Sequence, residues 1–135
     1  MTGLHAVVLA AGKGTRMRSA LPKVLHTANG KPLLAYVIDA LKESNVQEEN
    51  MVVVVGHGAE QVRAAFDGAY HFVLQEPQLG TGHALQLAMP ALAGAEGYLL
   101  VVCGDTPLLR GETLRGLVDY ARKSQASATV LSAVL

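Results

Sequence analysis

Residues 7–23 read Val7-Val8-Leu9-Ala10-Ala11-Gly12-Lys13-Gly14-Thr15-Arg16-Met17-Arg18-Ser19-Ala20-Leu21-Pro22-Lys23, an apolar run that empties into a basic, glycine-punctuated loop. A short uninterrupted apolar run suits a strand covered on both faces. The loop suits a phosphate cradle, because small residues let backbone N–H groups approach a phosphate closely. Lys13, Arg16, Arg18 and Lys23 then place four cations within a dozen residues. Arg16 offers a planar fork to phosphate oxygens, and Lys13 or Lys23 a point charge. An ordinary strand-to-helix turn on a solvated basic surface has the same appearance, so the loop alone leaves both readings open.

Two better-known glycine motifs do not fit. The dinucleotide pattern G-x-G-x-x-G needs a third glycine where Met17 stands, and an acidic residue closing the second strand where Gly56 stands. A Walker loop needs Gly-Lys-Ser/Thr shortly after its first glycine, and Gly12 is followed by Lys13, Gly14, Thr15, Arg16 and Met17. NAD and P-loop chemistry are both disfavoured.

Outward from this loop, apolar runs alternate with helical periodicity. Residues 4–10 form the first strand, Asn29-Gly30 a turn, and a helix runs from Pro32 to Lys42 with Leu33, Leu34, Val37, Ile38 and Leu41 on one face. A second strand covers 51–55 and a helix 59–66; a third strand covers 70–75 and a helix 83–92, bent or ended by Pro90. A fourth strand covers 98–103, an amphipathic helix 112–123, and a fifth strand is expected from 128 to 135. These β-α-β units predict an α/β fold: a doubly wound, Rossmann-like, mostly parallel sheet with helices on both faces. Parallel strands bring the loops at Gly12, at 75–81 and at Gly104-Asp105 to one carboxyl edge, where such sheets bind ligands.

Composition narrows the possibilities. The 135 residues amount to one domain, with 50% hydrophobic but only 4% aromatic side chains, as in an aliphatic core of buried strands. Eleven basic and eleven acidic residues give zero formal net charge, which argues against a nucleic-acid or membrane-surface partner. The lone Cys103 ends an apolar run and is read as a buried strand thiol in a reducing cytoplasm. No export signal and no apolar stretch of the ~18 residues a membrane span needs is visible.

Asp105 follows a strand and precedes Pro107; it is either a turn or N-cap aspartate or a ligand for Mg²⁺, which commonly takes one or two carboxylates and completes its shell with water and phosphate. Gln75 is either a capped strand end or an amide that reads a base edge. Gly80-Thr81-Gly82 lets a flat base lie on bare backbone, with Thr81 bonding to it or capping the next helix. His5, His26, His57, His71 and His83 share no metal-ligand spacing.

Four blocks carry a specific resemblance: residues 9–17, then Leu21-Pro22-Lys23-Val24-Leu25-His26, then Gln75-Glu76-Pro77-Gln78-Leu79-Gly80-Thr81-Gly82-His83-Ala84, then Gly104-Asp105-Thr106-Pro107-Leu108. In order and spacing they resemble the bacterial UDP-N-acetylglucosamine pyrophosphorylases, the bifunctional GlmU family. The first block is shared by sugar nucleotidyltransferases in general, whereas the second and third are much narrower.

The resemblance implies a nucleotide-diphospho-sugar transferase fold and an enzyme that joins UTP and N-acetylglucosamine 1-phosphate into UDP-N-acetylglucosamine and pyrophosphate. It implies that Leu9, Ala10, Ala11 and Gly12 line the nucleotide, that Arg16 steadies the triphosphate, and that Lys23 contacts phosphate near the reacting centre. Gln75, Gly80 and Thr81 would hold uracil, Cys103 and Gly104 would line the site through backbone, and Asp105 would bind Mg²⁺. The family continues through a sugar-recognition half and a β-helix that acetylates glucosamine 1-phosphate and forms a homotrimer. Residues 1–135 are therefore expected to be the nucleotide-binding half of the uridylyltransferase domain. A different nucleotidyltransferase and a non-catalytic nucleotide-binding module are the competing expectations.

Overall fold

The computed structural model describes residues 3–12 and 20–134. In chain order the elements are β1 (Gly3–Ala10), β2 (Thr27–Ala28), β3 (Lys31–Pro32), α1 (Leu33–Glu43), β4 (Met51–Val55), α2 (Ala59–Ala65), β5 (His71–Leu74), α3 (Thr81–Ala88), β6 (Gly97–Cys103) and α4 (Gly111–Ser124). A 3-10 turn, Lys23–Leu25, precedes β2. β2 and β3 pair antiparallel around Asn29 and Gly30, whose φ values of 52° and 74° suit a tight hairpin turn.

The other four strands form one parallel sheet in the order β5-β4-β1-β6. Strand order moves outward from β1 through β4 to β5, then returns to β6 on the other side of β1. The reversal lies between β1 and β6, so the crevice at their carboxyl ends is the topological switch point.

Burial on the two faces follows the strand alternation. Ala6, Val8 and Ala10 of β1, Met51, Val53 and Val55 of β4, and Leu100 and Val102 of β6 pack with α1, α2 and α4 through Leu34, Val37, Leu41, Val62, Leu114 and Val118. Val7, Val52 and Val54 face the opposite way and pack on Ala84 and Ala88 of α3. Helices thus cover both faces of the parallel sheet, and β4 is buried along its whole length. Pro32 ends β3 directly before α1, and α3 gives way at Met89–Leu92 to a 3-10 turn containing Pro90, where the ring cannot continue an α-helix.

Two expectations are corrected. No strand forms over residues 128–134, which run on past α4 with Val130 and Leu131 exposed. Apolar, β-branched composition becomes a strand only where a ladder partner and a covering face exist, and this segment has neither. Cys103 is exposed rather than buried. It shares a face of β6 with Leu99 and Val101, both at least 40% exposed, because α3 covers that side of β1 and β4 but not of the edge strand. Among the described residues no helix is long and apolar enough to cross a membrane.

Candidate functional site

The end of β1 carries the first part of the site. Ala10 and Ala11 are buried and Gly12 is exposed; among the described residues nothing lies within 4 Å of a Cβ added at Gly12. Beside it, Leu9 pairs in register with Cys103, and the Gly104 N–H donates to the Leu9 carbonyl at 2.9 Å, extending the ladder past the strand ends. Gly104 is closely packed there: a Cβ would lie 3.2 Å from Leu34 Cδ1 and 3.3 Å from both Ala10 Cβ and Leu9 O.

That packing presents Asp105 at the switch point. Its Oδ2 lies 2.9 Å from Lys23 Nζ, with the side chains 32% and 45% exposed respectively. The cation of the second sequence block and the carboxylate of the fourth are thereby joined across the mouth between β1 and β6. The N-cap of α4 is Arg110, so Asp105 is not a helix cap; it occupies the turn after β6, which Thr106 steadies by donating its Oγ1–H to the Cys103 carbonyl at 3.1 Å. Arg16, expected to steady a triphosphate, lies outside the described residues, as do Lys13 and Arg18.

The loop after β5 forms the opposite wall. Gln78 packs over Gly56 beside the end of β1: a Cβ at Gly56 would collide with Gln78 Nε2 and sit 3.0 Å from the Ala11 carbonyl. Gln75, only 4% exposed, continues the ladder through its N–H to Val55 O at 2.7 Å. Its side-chain Nε2 lies 3.0 Å from the Gly80 carbonyl and 3.0 Å from His83 Nδ1. The amide therefore spends its donors inside the protein, which narrows the expectation that both ends of the group read a base.

Gly80 has φ 102° and ψ 179°, a conformation a side chain rarely tolerates, and it supplies the N-cap of α3. Thr81 is the first helical residue, exposed and without a capping bond, so the N-cap alternative for it does not hold. Among the described residues nothing lies within 4 Å of Cβ atoms added at Gly80 and Gly82, so none of them covers this backbone.

Among the described residues no group of three or more His, Cys, Asp or Glu could hold a metal. One half-exposed carboxylate beside a cation fits a hard divalent ion that takes most of its ligands from water and phosphate, and does not fit an all-protein cage. A cleft of about 390 Å³ lies elsewhere, between α1 and α4. Its cations Lys31, Arg110 and Arg115 are matched by the carboxylates of Asp39, Glu43 and Glu112 in the same lining, so it carries no net positive charge for a phosphate.

The ends of β1, β5 and β6, with Gly12, Gln75 and Gly104-Asp105, lie on one edge as expected from the sequence, and the structure adds Lys23 to it through Asp105. Sequence reasoning missed His83 as the partner of Gln75, because the histidines were weighed only as metal ligands. A ring nitrogen one helical turn after a glycine cap is the signal that points to it.

Comparison with known proteins places this edge in context. The chain is 49% identical over all 135 residues to "Bifunctional protein GlmU" of Listeria welshimeri and 52% identical over 129 residues to the protein of that name from an Exiguobacterium species. It spans only 29% and 28% of those relatives' lengths. Among solved structures, Rv0371c of Mycobacterium tuberculosis in complex with manganese superposes with a TM-score of 0.74 at 24% identity, over 90% of this chain and 61% of that one. A UDP-glucose pyrophosphorylase complexed with UDP-glucose superposes with a TM-score of 0.75 at 23% identity, over 93% and 55%. Both share the nucleotidyltransferase fold, and the family model that matches residues 6–134 agrees with the switch-point geometry: the chain belongs to the MobA-like NTP transferase domain family.

Proposed function

We propose that this chain is the nucleotide-binding part of an enzyme that joins UTP and N-acetylglucosamine 1-phosphate, forming UDP-N-acetylglucosamine and pyrophosphate. The observation that carries the reading is the Lys23–Asp105 pair at the switch point, with the end of β1 on one side and the amide-held loop of Gln75 on the other. The likeness to the GlmU relatives supports these substrates within the family.

A phosphate oxygen of the sugar phosphate attacks the α-phosphorus of UTP. One P–O bond forms, the bond to the β-phosphate breaks, and pyrophosphate leaves with the electron pair. Such transfers depend on positioning and charge neutralisation more than on covalent help from the protein. Leu9, Ala10, Ala11 and Gly12 bring backbone up to the nucleotide, while Arg16 and Lys23 neutralise phosphate charge. Cys103 and Gly104 line the site through backbone. Asp105 would hold Mg²⁺, which when bound supplies further neutralisation of the phosphates. Gln75, Gly80 and Thr81 take the uracil. The setting that goes with this role is cytoplasmic, without a nucleic-acid or membrane partner. The longer protein would be a homotrimer carrying the acetyltransferase β-helix.

Calorimetric titration with the four nucleoside triphosphates in Mg²⁺ tests the reading. UTP should bind tightest. Equal binding of all four, preference for another base, or no binding would overturn it.

A further inference from the structure

We propose that His83 is a positioning residue that sets base choice by holding the Gln75 amide in one orientation. The inference rests on the uridine reading above and adds to it a residue that need not touch the nucleotide.

The hydrogen-bond inventory fixes the orientation. Gln75 Nε2 lies 3.0 Å from the Gly80 carbonyl, which can only accept, so the nitrogen and not the oxygen of the amide must point there. The second Nε2 hydrogen is directed at His83 Nδ1, also at 3.0 Å. That contact is a hydrogen bond only when Nδ1 carries a lone pair, which assigns His83 the neutral tautomer protonated on Nε2. With both donors spent, Oε1 is the one polar atom of the side chain left for a ligand, and it can only accept. The backbone ladder bond to Val55 and the 4% exposure of Gln75 keep the group in place.

The chemical consequence is selection by donor. Uracil carries N3–H, which donates to a fixed acceptor. Cytosine carries an N3 lone pair, which meets the Gln75 oxygen as one acceptor facing another. A freely rotating amide would turn its nitrogen toward cytosine and lose the distinction, so the discrimination comes from whatever prevents the flip. Gly80 supplies half of that restraint, through a carbonyl that also accepts the Ala84 N–H at 3.1 Å, and His83 supplies the other half. His83 sits on the first turn of α3, so the lock is anchored to a helix rather than to the loop it holds.

The test compares three variants in the full 135-residue chain, reading the ratio of UTP to CTP affinity by competition titration in Mg²⁺. His83→Leu keeps bulk but no acceptor. His83→Asn places an amide oxygen one bond beyond Cγ, where the imidazole has Nδ1. His83→Lys offers only donors. Leu and Lys should lower the ratio by about tenfold, which is ~1.4 kcal/mol and the order of one net hydrogen bond, whereas Asn should stay within about threefold of the parent. Nitrogen NMR of the parent should show His83 protonated on Nε2 and bare on Nδ1. An unchanged ratio in Leu and Lys overturns the proposal, as does a loss in Asn equal to that in Leu, or a proton found on Nδ1. If the leucine variant does not fold, Asn against Lys decides by the same criterion. Failure of the parent chain to prefer UTP would instead refute the uridine reading, and is seen before any variant is made.

Discussion

Replacing Asp105 by Asn should change UTP binding in opposite directions with and without Mg²⁺. The carboxylate of Asp105 and the ammonium of Lys23 are 2.9 Å apart, so each is partly neutralised by the other before any ligand arrives. In bulk-water dielectric two charges at that distance attract by ~1.4 kcal/mol. The side chains are 32% and 45% exposed, so desolvation, side-chain entropy and screening reduce the net value to ~0.2–1 kcal/mol. Asparagine has the same shape and no charge, which releases Lys23 to a phosphate and removes a negative charge from its neighbourhood. Metal-free UTP should therefore bind about 1.4- to 5-fold more tightly to the variant. In Mg²⁺ the order should reverse, because the variant has lost the carboxylate expected to hold the ion. The turn itself should persist, since the Gly104 N–H to Leu9 and Thr106 Oγ1 to Cys103 bonds do not use the Asp105 side chain. Calorimetry in chelator and in Mg²⁺ measures both arms. Raising salt to roughly 1 M, where the screening length is ~3 Å, should abolish the metal-free gain. Equal weakening in both conditions would mean that Asp105 only shapes the turn, and an intact Mg²⁺ response in the variant would mean that the ion binds elsewhere.

Two further perturbations test the scaffold. Leu34 is fully buried and its Cδ1 backs Gly104, so Leu34→Ala should cost about 2–5 kcal/mol in chemical denaturation and should weaken the Mg²⁺ response as well. A loss of stability with UTP and metal binding both intact would sever that link between core and site. Away from the site, Lys42 Nζ lies 2.7 Å from Glu48 Oε2, and Lys42, followed by the Ala69 N–H, holds the Glu48 carboxyl below the usual carboxylate range. A depressed carboxyl contributes stability above its unfolded pKa that is lost as pH falls through the folded value. Glu48 and then Tyr70 raise Lys42, whose contribution is present below the ordinary lysine range and is lost as pH rises through the raised value. Lys42→Met should accordingly flatten the decline in melting temperature at the acid end; at the alkaline end its loss also lets burial raise the Tyr70 hydroxyl further, which opposes any flattening there. Parallel curves for parent and variant would show that the pair contributes nothing measurable.

The fold was readable where one physical cause dominates. Residues 51–55 are apolar without alternation because β4 is covered on both faces, and Asn29-Gly30 announced its turn because few other residues accept two positive φ values in succession. The failures at Cys103 and at 128–134 share a cause. Local composition reports that a segment could be covered, while cover depends on which strand has a neighbour, and β6 is an edge strand with an open face. Lys23 and Asp105 were singled out separately, one as a cation and one as a carboxylate. That they meet follows from the switch-point topology and is written in no spacing.

The two walls of the proposed site also differ in kind, which is a reason for a metal to bind there. On the side proposed to take the base, Gln75 is buried, laddered to β4 and held through Gly80 and His83, so its acceptor would be in place before a ligand arrives. On the side proposed to take phosphate, Lys23 and Asp105 are half-exposed and cancel one another. A triphosphate approaching that pair meets little net positive charge among the described residues, and must either displace Lys23 from Asp105 or bring a cation to which Asp105 can turn. Asp105 would hold a divalent ion, which would supply that cation and leave Lys23 for phosphate. Specificity for a base held by Gln75 would then be preorganised by buried hydrogen bonds and should depend little on salt, while phosphate affinity would depend on the metal and should be salt-sensitive without it.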